Sequence, residues 1–572
     1  MGSNSMAPFG DPNLPSTSTS GLRVPKVEPK LEPFDEPFPY PPHFHLSTPA
    51  PTSVPQLFSD NSRISEIPSP ETGAHLSNVA LSPRGSRKYP TRSAELVRVT
   101  DLEPEDKFYF RDSIRKTRIL FESLRVFSLA EDEKRRDTMA PQRRTRADLK
   151  AAAIMREHGL WLNREQRVVG DIPGVLVGDV FVYRMEMCVL GLHGQVQAGI
   201  DYVPYSQSSN GEPIATSIIV SGGYEDDEDA GDVIVYTGHG GQDKHNRQVM
   251  HQKLESGNLA LERSMTYGIE VRVIRGFKYE GSATGKIYVY DGLYKIIETW
   301  FDMGRSGFGV YKFKLIRIEN QDEMGSTVMK FALSLRTQPL EARPRGYVSL
   351  DLSNKKENFP VFFYNDVDGV RDPIYYEYLI STVFPPYVYN YGNVSGCDCV
   401  GGCMDDCFCA LRNGGEFAYD LNGILVRGKP LVFECGPHCH CPPTCRNRVT
   451  QKGVGNRFEV FRSRDTDWGV RSLDLIQAGS FICEYAGVVL TPCPSIPPLD
   501  FAMDVSRMRN VACYMSHSSL PNVMVQHVLY DHNNISFPHI MLFAMENIPP
   551  MRELSLDYGV ADEWTGKLAI CN

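Results

Sequence analysis

The chain of 572 residues is too long for a single hydrophobic core and is expected to divide into roughly three or four domains. Its formal net charge of −10 excludes nucleic-acid binding through overall charge, so any phosphate contact needs a local basic face. Fourteen cysteines, with no signal-peptide pattern and no apolar run of membrane-spanning length, exclude a disulfide-stapled secreted protein and a membrane-spanning one, and point to the cytosol or nucleus.

Met6 stands where a myristoylation signal needs Ser or Thr, so no membrane partner is expected. Residues 1–92 are rich in Pro, Ser and Thr without a sustained apolar period. Such a tail buries too little apolar surface to offset its ordering entropy and is expected to be disordered. Residues 93–165 read as a helical segment: Ile114, Leu120, Phe121, Leu124 and Phe127 recur at helical spacing, and 151–155 form a second helix. Two basic clusters, Lys134-Arg135-Arg136 and Arg143-Arg144-Thr145-Arg146, are either a solvated face or a nuclear-import or phosphate-binding signal.

Residues 166–320 alternate β-rich runs with glycine turns at 180–183, 214–220, 233–236, 269–274, 286–290 and 311–318, which predicts a β-barrel-like sheet. Within it, Gly222-Gly223-Tyr224-Glu225-Asp226-Asp227 leads to Tyr236 at the end of a short strand. Two rings projecting from strand ends around carboxylates suit a flat, hydrogen-bond-donating ligand such as a cytosine, which stacks on its faces and donates its exocyclic amine. The alternative is a tyrosine-bearing hairpin with a solvated acidic loop.

The run GGYEDDEDAGDVIVYTG, with Val177-Gly178-Asp179 before it and Asn258-Leu259-Ala260-Leu261 and Tyr290-Asp291-Gly292-Leu293-Tyr294 after it, resembles the SRA (YDG) domain of methylated-DNA readers. The resemblance implies a flipped modified cytosine sandwiched by Tyr224 and Tyr236, with Asp226 or Asp227 holding its edge. Gln197 matches the residue that plugs the vacated duplex position. Lys244, His245 and Arg247, on a second polar loop, suit the opposite groove or the phosphates. Arg272, Arg275 and Lys278 are expected to add positive charge beside a strand.

Residues 321–390 read as an ordered connector and the start of the segment that follows, with a strand-like run at 361–364, and say little about chemistry. In 391–450 the cysteines crowd: Cys397, Cys399, Cys403, Cys407, Cys409, Cys435, Cys439, Cys441 and Cys445. Each structural zinc takes four thiolates, and nine sulfurs serve three zinc ions when three of them bridge. This block resembles the pre-SET domain of histone-lysine methyltransferases, with a structural role: a small, loop-rich segment folds with its metal.

Residues 451–572 resemble a SET domain, mostly β and truncated. Trp468 and Gly469 lie in the turn that the family uses for S-adenosylmethionine, residues 483–487 match the next strand, and Tyr558 matches the catalytic tyrosine. Where the family reads Arg-Phe-Ile-Asn-His-Ser-Cys, this sequence has Cys513-Tyr514-Met515-Ser516-His517-Ser518-Ser519. Ser516 replaces the cofactor-contacting asparagine, with His517 beside it, and Ser519 replaces a zinc-ligating cysteine. The post-SET cysteines are not found, and a proline-rich short cut at 491–500 stands where relatives carry a longer insert. These departures weaken the case for bound S-adenosylmethionine and imply weak or absent methyl transfer.

The whole arrangement resembles the plant Su(var)-homologue family of histone H3 lysine-9 methyltransferases, especially its subgroup lacking post-SET. It is a multidomain α+β architecture. The resemblance implies a nuclear, chromatin-associated methylcytosine reader and scaffold in gene silencing and RNA-directed DNA methylation. The partners implied are methylated DNA, histone tails and silencing machinery that includes a plant-specific RNA polymerase. The alternatives are an active histone H3 lysine-9 methyltransferase and a purely structural chromatin protein.

Overall fold

A computed structural model of the chain describes residues 96–136, 146–164, 167–222, 226–245, 247–390, 395–464, 467–490, 501–558 and 570–571. The tail 1–92, the basic residues 143–145, Tyr224 and the short cut 491–500 lie outside them. Among the described residues no helix is long and apolar enough to cross a membrane.

Two helices open the described chain, Pro104–Arg136 (α1) and Ala147–Glu157 (α2). Phe121 and Leu124 of α1 pack on Ala151, Ala152 and Met155 of α2 and on Met185, Cys188 and Val189 of the helix Arg184–Leu190. The helical period places these residues on one stripe. Phe127 departs from the expectation and is half exposed, because it falls beside the buried stripe of Phe121, Leu124 and Ser128.

The β-domain is one curved sheet. Strands Ile200–Val203, Ile214–Val220, Val271–Lys278, Lys286–Met303, Gly309–Arg317, Val233–Thr237 and Glu228–Asp229 neighbour one another in that order, and Val180–Phe181 pairs with the long strand Lys286–Met303. All pairs are antiparallel except Ile214–Val220 with Val271–Lys278. Successive side chains of a strand point to opposite faces, and here both faces are covered. Ile218 and Val220 pack with Ala260 and Leu261 of the helix Ser256–Thr266, whereas Ile219 packs with Ile114 of α1 and with Met187 and Leu190. Two-sided burial is why residues 214–220 are apolar throughout and do not alternate. The long strand overruns its expected end at 290. Gly292, at φ +98°, marks a bulge in it, with Val273 opposite Gly292 and Ile274 opposite Tyr290.

The expected connector is part of the next core. Phe362–Tyr364 pairs in parallel with Phe458–Ser463, which pairs with Asp467–Ser472, and Val361 and Phe363 are buried with Val460 and Val470. A second sheet holds Val523–Leu529 between Val432–Phe433 and His539–Ala544, with Phe481–Glu484 outside. The cysteine-rich segment thus contributes an edge strand to the domain that follows it.

Charged side chains lock these domains together. Arg111 of α1 donates to Asp179 of the β-domain (2.6 Å) and to Glu546 of the C-terminal domain (2.9 Å). Arg115 also reaches Glu546 (3.3 Å), and Arg552 reaches Asp179 (2.6 Å). Asp179 is fully buried, and Arg111, Arg115 and Glu546 nearly so. Burial alone would raise both carboxyls; the guanidiniums of Arg111, Arg552 and Arg115 outweigh it and hold both below the usual carboxylate range.

Candidate base pocket and metal centre

Tyr236 lies on the strand Val233–Thr237, opposite Phe313 of the neighbouring strand, and is 4% exposed. Its hydroxyl rests against the backbone of Gly199: a Cβ built at Gly199 would lie 2.6 Å from the Tyr236 oxygen. Glycine is therefore needed there for close approach. The contact joins the strand that carries the ring to the loop that carries Gln197.

The two aspartates divide their tasks. Asp227 accepts the N–H of Thr237, the residue after Tyr236, at 2.8 Å, and burial pushes its carboxyl above the ordinary value. Asp226 instead accepts the Arg305 N–H at 2.9 Å, pinning the tip of the hairpin between Lys286–Met303 and Gly309–Arg317.

Gln197 is exposed on a loop that is held from behind. Arg184 donates to the carbonyls of Gln197 (2.7 Å) and Ala198 (3.0 Å). His193 is fully buried, bonded to Ala198 O (3.1 Å) and Ser217 Oγ (2.8 Å). Burial lowers its pKa to about 4, so it is a neutral strut whose Nε2–H donates to the carbonyl while Nδ1 accepts from the serine.

The second loop is built on Asp243, which accepts the N–H groups of His245 (2.8 Å) and Arg247 (3.0 Å) and pairs with the Arg247 guanidinium (2.9 Å). Lys244 and His245 project into solvent. Arg247 is exposed as well, yet it spends its fork on Asp243; the Asp-x-x-x-Arg spacing in the sequence carried that signal. The loop's base is fixed by Asn258, which accepts the His239 N–H and donates to the carbonyls of His239 and Lys253.

Arg272 and Arg275 depart from expectation. Both are buried, Arg272 donating to the carbonyls of Leu192, Val168 and Gly170, and Arg275 pairing with Asp229 and Asp291. They satisfy core carbonyls and carboxylates and are not a basic face. The strand is covered on both sides, which a sequence pattern of alternating Arg and Val does not reveal.

The nine cysteines converge. Cys397, Cys403, Cys435 and Cys441 bring their sulfurs within 4.8 Å of one another, as do Cys397, Cys409, Cys435 and Cys439, and Cys399, Cys403 and Cys407. Cys397, Cys403 and Cys435 each recur in two sets, as sulfurs that bridge metal ions must. The Cys445 sulfur completes the cage by accepting the Cys403 N–H. Cys397 and Cys403 are 3.4 Å apart, Cys403 and Cys435 3.4 Å, and Cys409 and Cys439 3.7 Å. A tetrahedral zinc–thiolate site has sulfur–sulfur edges of roughly 3.8 Å. The donor set and its spacing fit structural zinc.

In the C-terminal domain Trp468 and Gly469 lie on the strand Asp467–Ser472. Arg462 and Phe363 pack on the Trp468 ring, and a Cβ at Gly469 would meet Phe461 at 2.8 Å and Glu553 at 2.9 Å. Ser516–His517 pairs in parallel with Ser555–Leu556, so the chain crosses itself beside Tyr558. His517 Nδ1 accepts the Tyr558 N–H (3.2 Å). The Tyr558 hydroxyl donates to Met515 O (3.1 Å), and its ring stands edge-on to Tyr485 at 6.5 Å. Tyr485, Cys513 and Met515 thus wall in Tyr558, with burial pushing the Cys513 thiol up to about 11. Cys513 and Met515 fall in the stretch that departs from the family's motif.

Comparison with known proteins agrees with this domain order. Residues 168–321 match the SAD/SRA domain, 353–448 the Pre-SET motif and 467–559 the SET domain. The chain is 58% identical over 527 residues to the histone-lysine N-methyltransferase family member SUVH9 of Arabidopsis thaliana, covering 84% of this chain and 81% of that protein. With SUVH2 of the same plant it shares 55% over 571 residues, covering 92% and 86%. The crystal structure of SUVH9 superposes with a TM-score of 0.72 at 56% identity, over 80% of this chain and 100% of that one. KRYPTONITE in complex with mCHH DNA, an H3(1-15) peptide and SAH superposes with a TM-score of 0.67 at 38% identity, over 79% and 94%. Domain content, identity and fold together make this chain a member of the SUVH family of histone-lysine N-methyltransferase proteins.

Proposed function

We propose that the chain is a nuclear reader of methylated cytosine in DNA and a chromatin scaffold, with a SET domain of little or no methyltransferase activity. The observation that carries this reading is Tyr236, buried with its hydroxyl against Gly199 and followed by Thr237, whose N–H the Asp227 carboxylate accepts. A base is read here only after leaving the stack, at a cost of a few kcal/mol in unstacking. Tyr236 and Tyr224 stack on its two faces, and Asp227 accepts its exocyclic amine. Gln197, on a loop stiffened by Arg184 and His193, fills the gap in the duplex. Lys244 and His245 meet phosphates, with Arg247 bracing their loop through Asp243. KRYPTONITE, which was solved in complex with mCHH DNA, supports a reading of this chain as a methylated-DNA binder.

The SET domain lacks comparable support for catalysis. Methyl transfer is positioning chemistry that depends on a near-attack geometry. The Tyr558 hydroxyl is committed to Met515 O, and Ser516 is a shorter polar group than the family's asparagine. The subgroup without post-SET, the role in gene silencing and RNA-directed DNA methylation, and recruitment of a plant-specific RNA polymerase complex follow from the family resemblance and belong to this proposal.

A second reading, an active histone H3 lysine-9 methyltransferase, has two observations in its favour. The pairing of Ser516–His517 with Ser555–Leu556 keeps the backbone crossing beside Tyr558 intact, and the SAM-bound SUVH6 structure superposes at a TM-score of 0.67. Two measurements separate the readings. Duplexes methylated in CG, CHG or CHH contexts are compared with unmethylated duplex at one fixed salt concentration, because the phosphate contribution is salt-dependent. Methylated duplex is expected to bind tighter, with the preference abolished by Tyr236→Ala. Incubation with histone H3 and labelled S-adenosylmethionine is expected to give no turnover above background; robust turnover lost in Tyr558→Phe establishes the second reading.

A further inference from the structure

A second group of metal-ligating side chains lies in the turn between strands Val523–Leu529 and His539–Ala544, beside the cysteine cage: His532 lines one cavity with Cys409 and Cys439. Asp531, His532 and His539 bring a carboxylate oxygen and two ring nitrogens within 4.8 Å of one another. His539 Nδ1 is 2.9 Å from Glu484 Oε1, and that oxygen is itself fixed by the Thr382 N–H at 2.8 Å. The carboxylate keeps a proton on Nδ1 and aims Nε2 at Asp531 Oδ1, 3.0 Å away. The His532 side chain is wholly buried, its Nε2 has no hydrogen-bond partner, and it stands 3.8 Å from the same Asp531 oxygen. Buried polar atoms in native folds are rarely left unpaired, and each exception calls for a reason.

We infer that Asp531, His532 and His539 form a site for a divalent transition-metal ion of the zinc class, separate from the zinc cage of the cysteines. A tetrahedral zinc site with nitrogen and oxygen ligands has ligand–ligand edges of roughly 3.3–3.5 Å. The two edges from Asp531 Oδ1, 3.0 Å to His539 and 3.8 Å to His532, bracket that value. Two imidazoles with one carboxylate suit zinc and its transition-metal neighbours, whereas calcium and magnesium select all-oxygen shells. The Glu484–His539 pair supplies the carboxylate–histidine–metal relay that orients a ligating ring.

The ion takes the place of the proton between His539 Nε2 and Asp531, and gives the orphaned His532 nitrogen a partner. Ligation through Nε2 moves the His532 proton to Nδ1, where the Asn534 N–H now points at 3.2 Å. Ligation therefore trades the bond that Nδ1 accepts from the Asn534 N–H for the metal bond at Nε2. Phe384 packs edge-on against both imidazoles (5.2 and 5.0 Å) and Tyr530 stacks on His539 (4.4 Å), so the ligands are held by apolar walls. Asp531 retains 23% exposure of its side chain, which gives an entry path and room for a water as fourth ligand. The ion would clip the turn after Val523–Leu529 to the start of the strand His539–Ala544.

The test is metal counting on the full-length protein. Zinc per chain is measured by elemental analysis in the wild type, in His532→Gln and in Asp531→Asn. The protein is first treated with a mild chelator and then titrated with zinc alone. The wild type is expected to carry and rebind one zinc more than either variant, with unchanged melting of the cysteine-rich domain. Equal zinc counts in all three proteins would overturn the inference. Should His532→Gln or Asp531→Asn fold poorly, crystals of the wild type grown with zinc decide the matter. An anomalous peak at the zinc edge between Asp531 and the two histidines supports the site, and peaks confined to the cysteine cage refute it.

Discussion

Gly199 shows how much of a binding pocket rests on a missing atom. Any side chain there begins 2.6 Å from the Tyr236 hydroxyl, and the neighbouring backbone is held by the Arg184 and His193 contacts. Gly199→Ala is therefore expected to swing the ring and weaken binding to methylated duplex about tenfold, equivalent to about 1.4 kcal/mol. Unmethylated duplex, held through phosphates, should bind as before; a titration of both duplexes reads the difference. Asp227 makes a second prediction through its charge. Its carboxyl is raised by burial in the folded chain, offset in part by the Thr237 N–H. The stabilisation that goes with the protonated form is full below the unfolded value of about 3.9 and is lost as pH rises through the raised folded value. Only the ionised form accepts the base amine at full strength, so affinity is expected to climb across that same acidic window and level off towards neutrality. Asp227→Asn should flatten the profile, and binding measured at several pH values checks it.

At the scale of elements, the cysteine cage has two kinds of ligand. Cys397, Cys403 and Cys435 each belong to two ligand sets, whereas Cys407 belongs to one. Removing a shared sulfur breaks two metal shells at once, and removing Cys407 breaks one. Cys403→Ser is expected to release more zinc per chain than Cys407→Ser and to lower the melting temperature further, as elemental analysis and thermal unfolding would show. The metal cage was legible in the sequence, because dense cysteine spacing imposes a nearby geometry. What was not legible depended on burial from distant elements. Arg272 and Arg275 looked like a basic face until both sides of their strand were covered. The strand expected to end at 290 runs on to Met303, with Gly292 as a bulge inside its 18 residues. The segment 321–390 looked like a connector because its strand partner, Phe458–Ser463, lies about a hundred residues further on. The separate duties of Asp226 and Asp227 turn on a hairpin tip at Arg305 that sequence neighbours do not reveal.

For the whole molecule the decisive feature is that reader and SET domain are joined through a buried ionic lock as well as through the chain. Arg111 touches both Asp179 and Glu546, so α1 acts as a strut between two domains that also meet through Arg552, through Asn547 and through Leu475 packed by Val180, Ile287 and Val289. A buried ion pair adds little net stability over apolar packing, but deleting one partner strands the other and costs about 3–5 kcal/mol. Glu546→Gln leaves Arg111 with Asp179 but deprives Arg115 of a charged acceptor. The expected outcome is a lower, broader melting transition in which the β-domain and the SET domain separate, while binding of methylated duplex by the β-domain stays near wild type. The pH dependence has a defined sign. Because the carboxyls of Asp179 and Glu546 are held below their ordinary values, the lock contributes fully above the unfolded values of about 4 and is lost as pH falls through the lower folded ones. Melting followed from neutral pH downwards should therefore stay as a single transition at about pH 5, above those ordinary values, and split only in stronger acid. In Glu546→Gln the split should already be present at neutrality, and a single unchanged transition there would assign the coupling of the two domains to their other contacts.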